Sequence, residues 1–480
     1  MSEPIHDSCG VFAIANAEEA SHLAYLGLYS LQHRGQESAG IVTNQNGHTF
    51  QHQGMGLVAD VFNEDTLNKL HGDSAIGHVR YSTTGSSNLN NAQPILCDYR
   101  RGWLAVAHNG NLINTLELRT ELESKGSIFR TTTDSEILIH LLARSPEEDF
   151  LKALHESLQH LRGAFSMVLM NEDYVIGLRD PLGIRPLSLG RYKDGFVFSS
   201  ESCGFDIIDA EYMRTVEPGE MVIITKDGSM ESRFFARPER HAQCIFELVY
   251  FSRPDSYIFG REVNPARENL GRILWQERPT EGDVIVPVPD SSVCSALGYS
   301  QESGIPFKQG IIRSHYIGRT FIEPSQSIRD FGAKIKYSPV RSVLEGKRVI
   351  VVDDSIVRGT TIRKIVKMIR KCGATEIHLR IASPVWIEPC YYGIDTPERS
   401  RLIGATHTLD EIKTHLRVDS LHYLTTDGLH KAIGGTENEF CNACFSGKYP
   451  LRFPRMEEST DIDNGKSEVA AEKRLVHLNL

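Results

Sequence analysis

The run RVIVVDDSIVRGTT, residues 348–361, constrains the fold more tightly than any other stretch of this chain. An apolar strand is predicted over Arg348–Asp353, a loop over Asp354–Thr360 and a helix over Thr361–Arg370. Strand, glycine-containing loop and helix make a βα unit of a parallel α/β sheet, and such sheets take ligands at the carboxyl ends of their strands. Backbone N–H groups at the helix start favour a phosphate. Gly359 permits close approach, and the Thr360 and Thr361 hydroxyls add donors. Asp353 and Asp354 can accept hydrogen bonds from sugar hydroxyls and help hold a magnesium ion. A capped helix flanked by solvated aspartates is the plainer alternative, but two adjacent acids at a strand end are costly unless used. VIVPVPDSS, residues 284–292, forms a second edge of the same kind.

The chain has 480 residues, which calls for two domains or three. Its 52 basic and 62 acidic residues leave a formal charge of -10, which disfavours nucleic acid as the main partner. The first residues, MSEPIHDSCGVF, lack a basic segment followed by an apolar one, and no stretch is apolar for long enough to cross a membrane. No membrane partner is expected, and the location expected is the cytoplasm. Nine widely spaced cysteines in such a chain point to catalytic or metal chemistry plus buried thiols, rather than to a disulfide framework.

The first half reads as strands, at Gly10–Ala15, Gly40–Thr43, Trp103–His108 and Ala164–Met170, interleaved with helices near Ser21–Gln32 and Asp134–Ala143. Cys9 is followed by Gly10 and an apolar strand. If the eight preceding residues are removed, thiol and α-amine share one residue, and the amine can serve as base for its own nucleophile. A lone Cys-Gly would more simply be a buried strand cysteine. Arg80, in GHVRYSTTG, suits a carboxylate, although alone it could be a surface ion pair. Asn109 and Gly110, in AHNGN, could form an oxyanion hole or a plain turn. Asp134, in RTTTDSE, could receive an ammonium, cap a helix, or do both.

Together, CGVFAI, LQHRGQESAGI, GHVRYSTTG, AHNGNL, TTTDSEIL and RDPLGIRPL resemble class II glutamine amidotransferases, N-terminal-nucleophile hydrolases with a four-layer αββα fold. The resemblance implies Cys9 as nucleophile, Arg80 and Asp134 on the glutamine carboxylate and ammonium, and Asn109 and Gly110 on the oxyanion. The run at 348–361 resembles the phosphoribosylpyrophosphate motif of type I phosphoribosyltransferases, an α/β fold. That implies ligand contacts from Asp353, Asp354, Ser355, Arg358, Gly359, Thr360 and Thr361, with magnesium near Ser291, Asp353 and Asp354. Residues 313–332 look like that family's closing loop.

Cys441 and Cys444 form a C-x-x-C pair, and Cys244 and Cys390 could complete four thiolates, which suit either zinc or a [4Fe–4S] cluster. From Cys9 to Pro454 the chain is similar to the amidophosphoribosyltransferases, in particular the iron–sulfur subgroup with a short cleaved propeptide. That likeness implies a [4Fe–4S] cluster on Cys244, Cys390, Cys441 and Cys444, glutamine and phosphoribosyl pyrophosphate as substrates, and phosphoribosylamine, glutamate and pyrophosphate as products. It also implies a homotetramer inhibited by purine nucleotides and the first committed step of purine synthesis. The corresponding organisation is a propeptide at 1–8, an amidotransferase domain at 9–235, a phosphoribosyltransferase domain with the cluster ligands at 236–455, and a flexible tail at 456–480. The rivals are another class II amidotransferase and a non-catalytic regulator that binds phosphoribosyl pyrophosphate.

Overall fold

The computed structural model describes residues 9–81, 87–237, 240–313 and 337–451. Residues 1–8, the tail at 456–480 and all but Arg313 of the expected closing loop lie outside them. The described residues up to Lys448 form one compact unit, and Tyr449–Leu451 are set apart from it.

The strand Gly10–Ala15 shows why the first half is layered. All six of its residues are buried, so both of its faces need a cover. Val11, Ala13 and Ala15 point to one side, where they meet Ala105, Ala107, Val168 and Val222 from a second sheet. Phe12 and Ile14 point to the other side, against Ala24 and Leu28 of the helix Ala20–Ser30. Residue alternation along one strand therefore feeds two cores. Gly27 makes the helix contact possible, because a Cβ there would lie 2.3 Å from the Phe12 ring.

This sheet runs in the order Glu211–Thr215, Ser188–Tyr192, Gly195–Ser199, Gly10–Ala15, Ser74–Arg80, Ser38–Gln45, His48–Met55. The second runs Met230–Phe234, Glu220–Thr225, Tyr174–Arg179, Gly163–Met170, Gly102–Leu112, Ile95–Tyr99. Neighbours pair antiparallel in both. The outer face of the second sheet packs Leu104, Val106, Phe165 and Met167 against the helices Thr115–Ser124, Glu136–Arg144 and Phe150–Leu158. The result is the expected αββα stack.

The second half is a parallel sheet in the order Val284–Pro287, Arg348–Asp353, Glu376–Ile381, Ser420–Tyr423. Its strands are buried Val, Ile and Leu runs, as a sheet covered on both faces requires. The helix Thr360–Lys371 lays Ile362, Ile365, Val366 and Ile369 on it at helical spacing. Parallel register brings Val288, Asp353 and Ile381 to a common edge. Among the described residues, no helix is long and apolar enough to cross a membrane.

Candidate active sites

Cys9 opens the central strand of the first sheet and is 7% exposed. Its thiol lies 3.4 Å from the Tyr81 carbonyl, and Arg34 Nε donates to its own carbonyl at 3.1 Å. Burial pushes the thiol pKa up; the Tyr81 hydrogen bond and the charge of Arg80 oppose this, while Asp134 and Glu37 add to it. Arg80 and Asp134 thus act on the thiol that the sequence paired them with. Arg80 ends the Ser74–Arg80 strand at 2% exposure, so it is no surface ion pair, and its guanidinium stands 4.0 Å from Glu37.

Asn109 and Gly110 lie on the Gly102–Leu112 strand rather than in a turn. Asn109 Nδ2 faces Ser200 Oγ at 3.4 Å, and Val11 N donates to that same hydroxyl at 3.0 Å. Ser200 so ties the amide to the strand that follows Cys9. Asn109 Oδ1 is buried with no hydrogen-bond partner among the described residues. Gly110 has φ 149°, and a Cβ there would lie 2.0 Å from the Ala164 carbonyl oxygen.

Asp134 does not cap the helix that follows. That helix begins at Glu136 with Ser135 at its N-cap position, leaving the Asp134 carboxylate free for other partners. Asp134 Oδ2 accepts from Leu112 N at 2.8 Å, Oδ1 accepts from Ser135 Oγ at 3.3 Å, and His108 Nδ1 stands 3.4 Å away. Burial raises its pKa, but His108 and these donors outweigh that, and the net shift is downward. Asp134 is therefore a buried carboxylate kept ionised.

At the parallel-sheet edge a cavity of about 120 Å³ is lined by Ser291, Asp353, Asp354, Ser355, Arg358, Gly359, Thr360 and Thr361, all named from sequence, and by Tyr250 and Tyr337, which were not. Ser292 Oγ donates to Asp353 at 3.1 Å, Ser355 Oγ to Asp354 at 2.7 Å, and Ser291 Oγ also donates to Asp354. Burial raises both aspartate pKa values, and the charge of Asp354 lifts Asp353 further. Gly359, at φ 74°, precedes a helix with no acidic residue in its first turn, which leaves its N-terminus open to an anion. Two buried carboxylates side by side fit a divalent cation.

Cys244 and Cys441 sit opposite each other where Gln243–Cys244 pairs in parallel with Phe440–Cys441. The Cys444 thiol is raised first by burial, then by Cys441, Cys244 and Cys390, so the four form one electrostatic neighbourhood. Burial likewise pushes the Cys244 thiol up to about 12. Among the described residues, no three His, Cys, Asp or Glu side chains are arranged to grip a metal ion. As a donor set, two buried thiols, Cys244 and Cys444, and two half-buried ones, Cys390 and Cys441, suit a thiophilic centre, whose binding would displace their protons.

Two family models match: a glutamine amidotransferase domain over residues 78–206 and a phosphoribosyl transferase domain over residues 264–383. The chain is 52% identical over 452 residues to a chloroplastic amidophosphoribosyltransferase of Arabidopsis thaliana, covering 94% of this chain and 80% of that one. It is 48% identical over 451 residues to the amidophosphoribosyltransferase of Bacillus subtilis, covering 93% and 94%.

The chain belongs to the amidophosphoribosyltransferases.

Solved structures agree. One, described as the allosteric regulatory enzyme of purine biosynthesis, superposes with TM-score 0.89 at 48% identity, over 93% of this chain and 97% of that one. Another, the Bacillus subtilis glutamine phosphoribosylpyrophosphate amidotransferase complexed with ADP and GMP, gives 0.88 at 48% identity, over 92% and 98%.

Sequence reasoning missed a buried ion network beneath Cys9. Arg34 reaches Glu247 at 2.9 and 2.7 Å and also pairs with Glu201. Arg185 reaches Glu247 at 2.7 Å, and His33 reaches Glu201 at 2.8 Å. Arg34, Glu201, Arg185 and Glu247 are each at most 1% exposed. Arg34 and Arg185 occur in motifs quoted for the family, HRGQ and GIRPL, but nothing in those motifs names their partners.

Proposed function

We propose that this chain makes phosphoribosylamine in two stages, releasing ammonia from glutamine at Cys9 and adding it to phosphoribosyl pyrophosphate at the Asp353–Asp354 edge. The observation that carries the reading is that one chain holds both a buried cysteine within reach of the Arg80 and Asp134 charges and a paired-carboxylate pocket before an open helix N-terminus.

In the first stage, Arg80 holds the glutamine carboxylate and the ionised Asp134 its ammonium. Because burial makes the Cys9 thiol reluctant to ionise, a base must take its proton as attack occurs. Removal of residues 1–8 supplies that base as the α-amine of Cys9. The sulfur adds to the amide carbon, and Asn109 and the Gly110 N–H receive the oxyanion. The amine returns its proton to the leaving nitrogen, ammonia departs, and water hydrolyses the thioester to glutamate.

In the second stage, Ser355, Arg358, Thr360 and Thr361 with the helix N-terminus hold the phosphate, and Asp353 and Asp354 orient the ribose. Ser291, Asp353 and Asp354 would hold magnesium, which when bound offsets the charge of the departing pyrophosphate. Ammonia attacks the anomeric carbon as that group leaves. A dry route matters, since ammonia released to neutral water would become ammonium and lose its nucleophilicity.

In this reading residues 9–235 and 236–455 are the two catalytic domains and residues 456–480 a tail. Cys244, Cys390, Cys441 and Cys444 hold a [4Fe–4S] cluster with a structural or oxygen-sensing role, outside the transfer step. Purine nucleotides restrain a homotetramer, a reading supported by the ADP and GMP bound to the Bacillus subtilis relative, and the reaction is cytoplasmic.

Mass analysis of the purified enzyme's N-terminus tests the base assignment. The expected product begins at Cys9; full glutamine-dependent turnover by protein still carrying residues 1–8 would overturn it. Iron and sulfide analysis of an anaerobic preparation tests the cluster, and stoichiometric zinc would refute it.

A further inference from the structure

The mechanism above uses neither the four-cysteine group nor the ion network beneath Cys9, yet the two are joined. Cys244 N donates to the Ile184 carbonyl at 2.9 Å, which sets the next residue, Arg185, beside the cysteine group. Arg185 binds Glu247 at 2.7 Å, Glu247 holds the Arg34 guanidinium, and Arg34 Nε holds the Cys9 carbonyl at 3.1 Å. Arg185, Glu247 and Arg34 are charged groups buried away from solvent, so displacing one disturbs the pairing of the next.

A second connection starts at Cys390. One residue on, the Tyr391 carbonyl accepts from Asn111 Nδ2 at 3.0 Å. Gly393 is packed so tightly that a Cβ there would lie 2.9 Å from the Gly110 Cα. The segment that begins at a cysteine therefore backs Gly110, the glycine assigned to the oxyanion under the proposed function. Both connections end in the glutamine site, and they reach it from opposite residues of that site.

We infer that the four-cysteine group positions the glutamine site, acting on Cys9 through Arg185, Glu247 and Arg34, and on Gly110 through Tyr391 and Gly393. The inference rests on Cys9 as nucleophile and on the cysteines as one ligand set. Asn111, Arg185 and Glu247 are positioning residues in this scheme, since they act through other groups. Small displacements suffice, because a misplacement of about 1 Å can cost on the order of 100-fold in rate.

The test uses full-length, anaerobically purified enzyme, with three readouts: glutamine-dependent kcat and KM, ammonia-dependent synthesis, and the rate of Cys9 alkylation by iodoacetamide followed by peptide mass analysis. Cys390→Ser is expected to lower glutamine-dependent kcat by about tenfold and to change the Cys9 alkylation rate, leaving ammonia-dependent synthesis near its original level. Asn111→Ala is expected to reproduce part of that loss, and the double variant to be little worse than Cys390→Ser alone, because both cut one connection. If Cys390→Ser does not accumulate folded, Arg185→Lys tests the other connection: a changed Cys9 alkylation rate with ammonia-dependent synthesis retained is expected. Losses that simply add, an unchanged Cys9 alkylation rate, or equal loss of ammonia-dependent synthesis each overturn the inference. Glutamine use that survives in Cys9→Ala would instead remove the reading beneath it.

Discussion

Around Cys9 the buried charges are each answered locally: Arg34 lies between Glu201 and Glu247, Arg185 against Glu247, and Asp134 accepts from Leu112 N and Ser135 Oγ beside the His108 ring. At the parallel-sheet edge, Asp353 and Asp354 adjoin each other and receive mainly hydroxyl and backbone donors. Their pKa values rise, whereas those of Glu201, Glu247 and Asp134 fall despite equally deep burial. A site that balances its own charge is ready for a neutral, zwitterionic substrate. A site carrying surplus carboxylate is completed by a cation that arrives with a polyanion.

The largest expected effect tests whether the regions are separable at all. Cys9→Ala should reduce glutamine-supported synthesis by on the order of 10⁴-fold or more, while added ammonia still gives product. Loss of both activities in a folded variant would merge the two sites into one.

Asp353→Asn should depress synthesis from either nitrogen source by about 100-fold, and magnesium withdrawal should do the same reversibly. Steady-state rates with ammonia decide this, because they bypass Cys9. Unchanged kinetics would take Asp353 out of the pocket and undo the contrast in charge.

Gly110→Ala probes the tightness of the self-balanced side. The added methyl would meet the Ala164 carbonyl oxygen at 2.0 Å, on a backbone at φ 149°. A cost of about 2–4 kcal/mol in stability is expected from such a clash and strained φ, read by denaturant unfolding. Glutamine-supported turnover should fall more than ammonia-supported turnover.

The smallest expected effect is a pH dependence. His78 Nε2 donates to the His108 carbonyl at 3.0 Å, and burial holds the imidazole down to about 3. Because the folded pKa lies below the unfolded value, this group's contribution is complete above about pH 6.5 and is lost as pH falls towards 3, the unfolded chain taking the proton first. At pH 5 the loss is about 2 kcal/mol. Melting curves of His78→Gln should depend less steeply on pH between 7 and 5 than those of the parent; equal slopes would clear His78 of this role.

Much of the architecture was legible because it is written locally. The strands Gly10–Ala15 and Arg348–Asp353 have the predicted bounds, since each is an unbroken apolar run closed by a polar residue. Cys9, Arg80, Asn109, Gly110 and the 353–361 loop could be named from short motifs, because strand ends and loops carry their chemistry in consecutive residues. For Asp134 the sequence allows an ammonium partner, a cap or both; the helix start at Glu136 removes the cap and leaves the carboxylate on Leu112 N and Ser135 Oγ. The ion network was invisible, because Arg34 is 167 residues from Glu201 and 213 from Glu247. No periodicity records a partnership of that kind.

The short parallel pairing of Cys244 with Cys441 also orders events in time. A ribosome that has finished residue 234 has supplied every strand of both sandwich sheets. The cysteine pairing must wait for roughly two hundred further residues, and closing so long a loop is entropically costly. During synthesis the glutamine-binding layers can therefore stand complete while the thiols from the far end of the chain are still missing, so cysteine assembly marks the end of manufacture rather than its beginning.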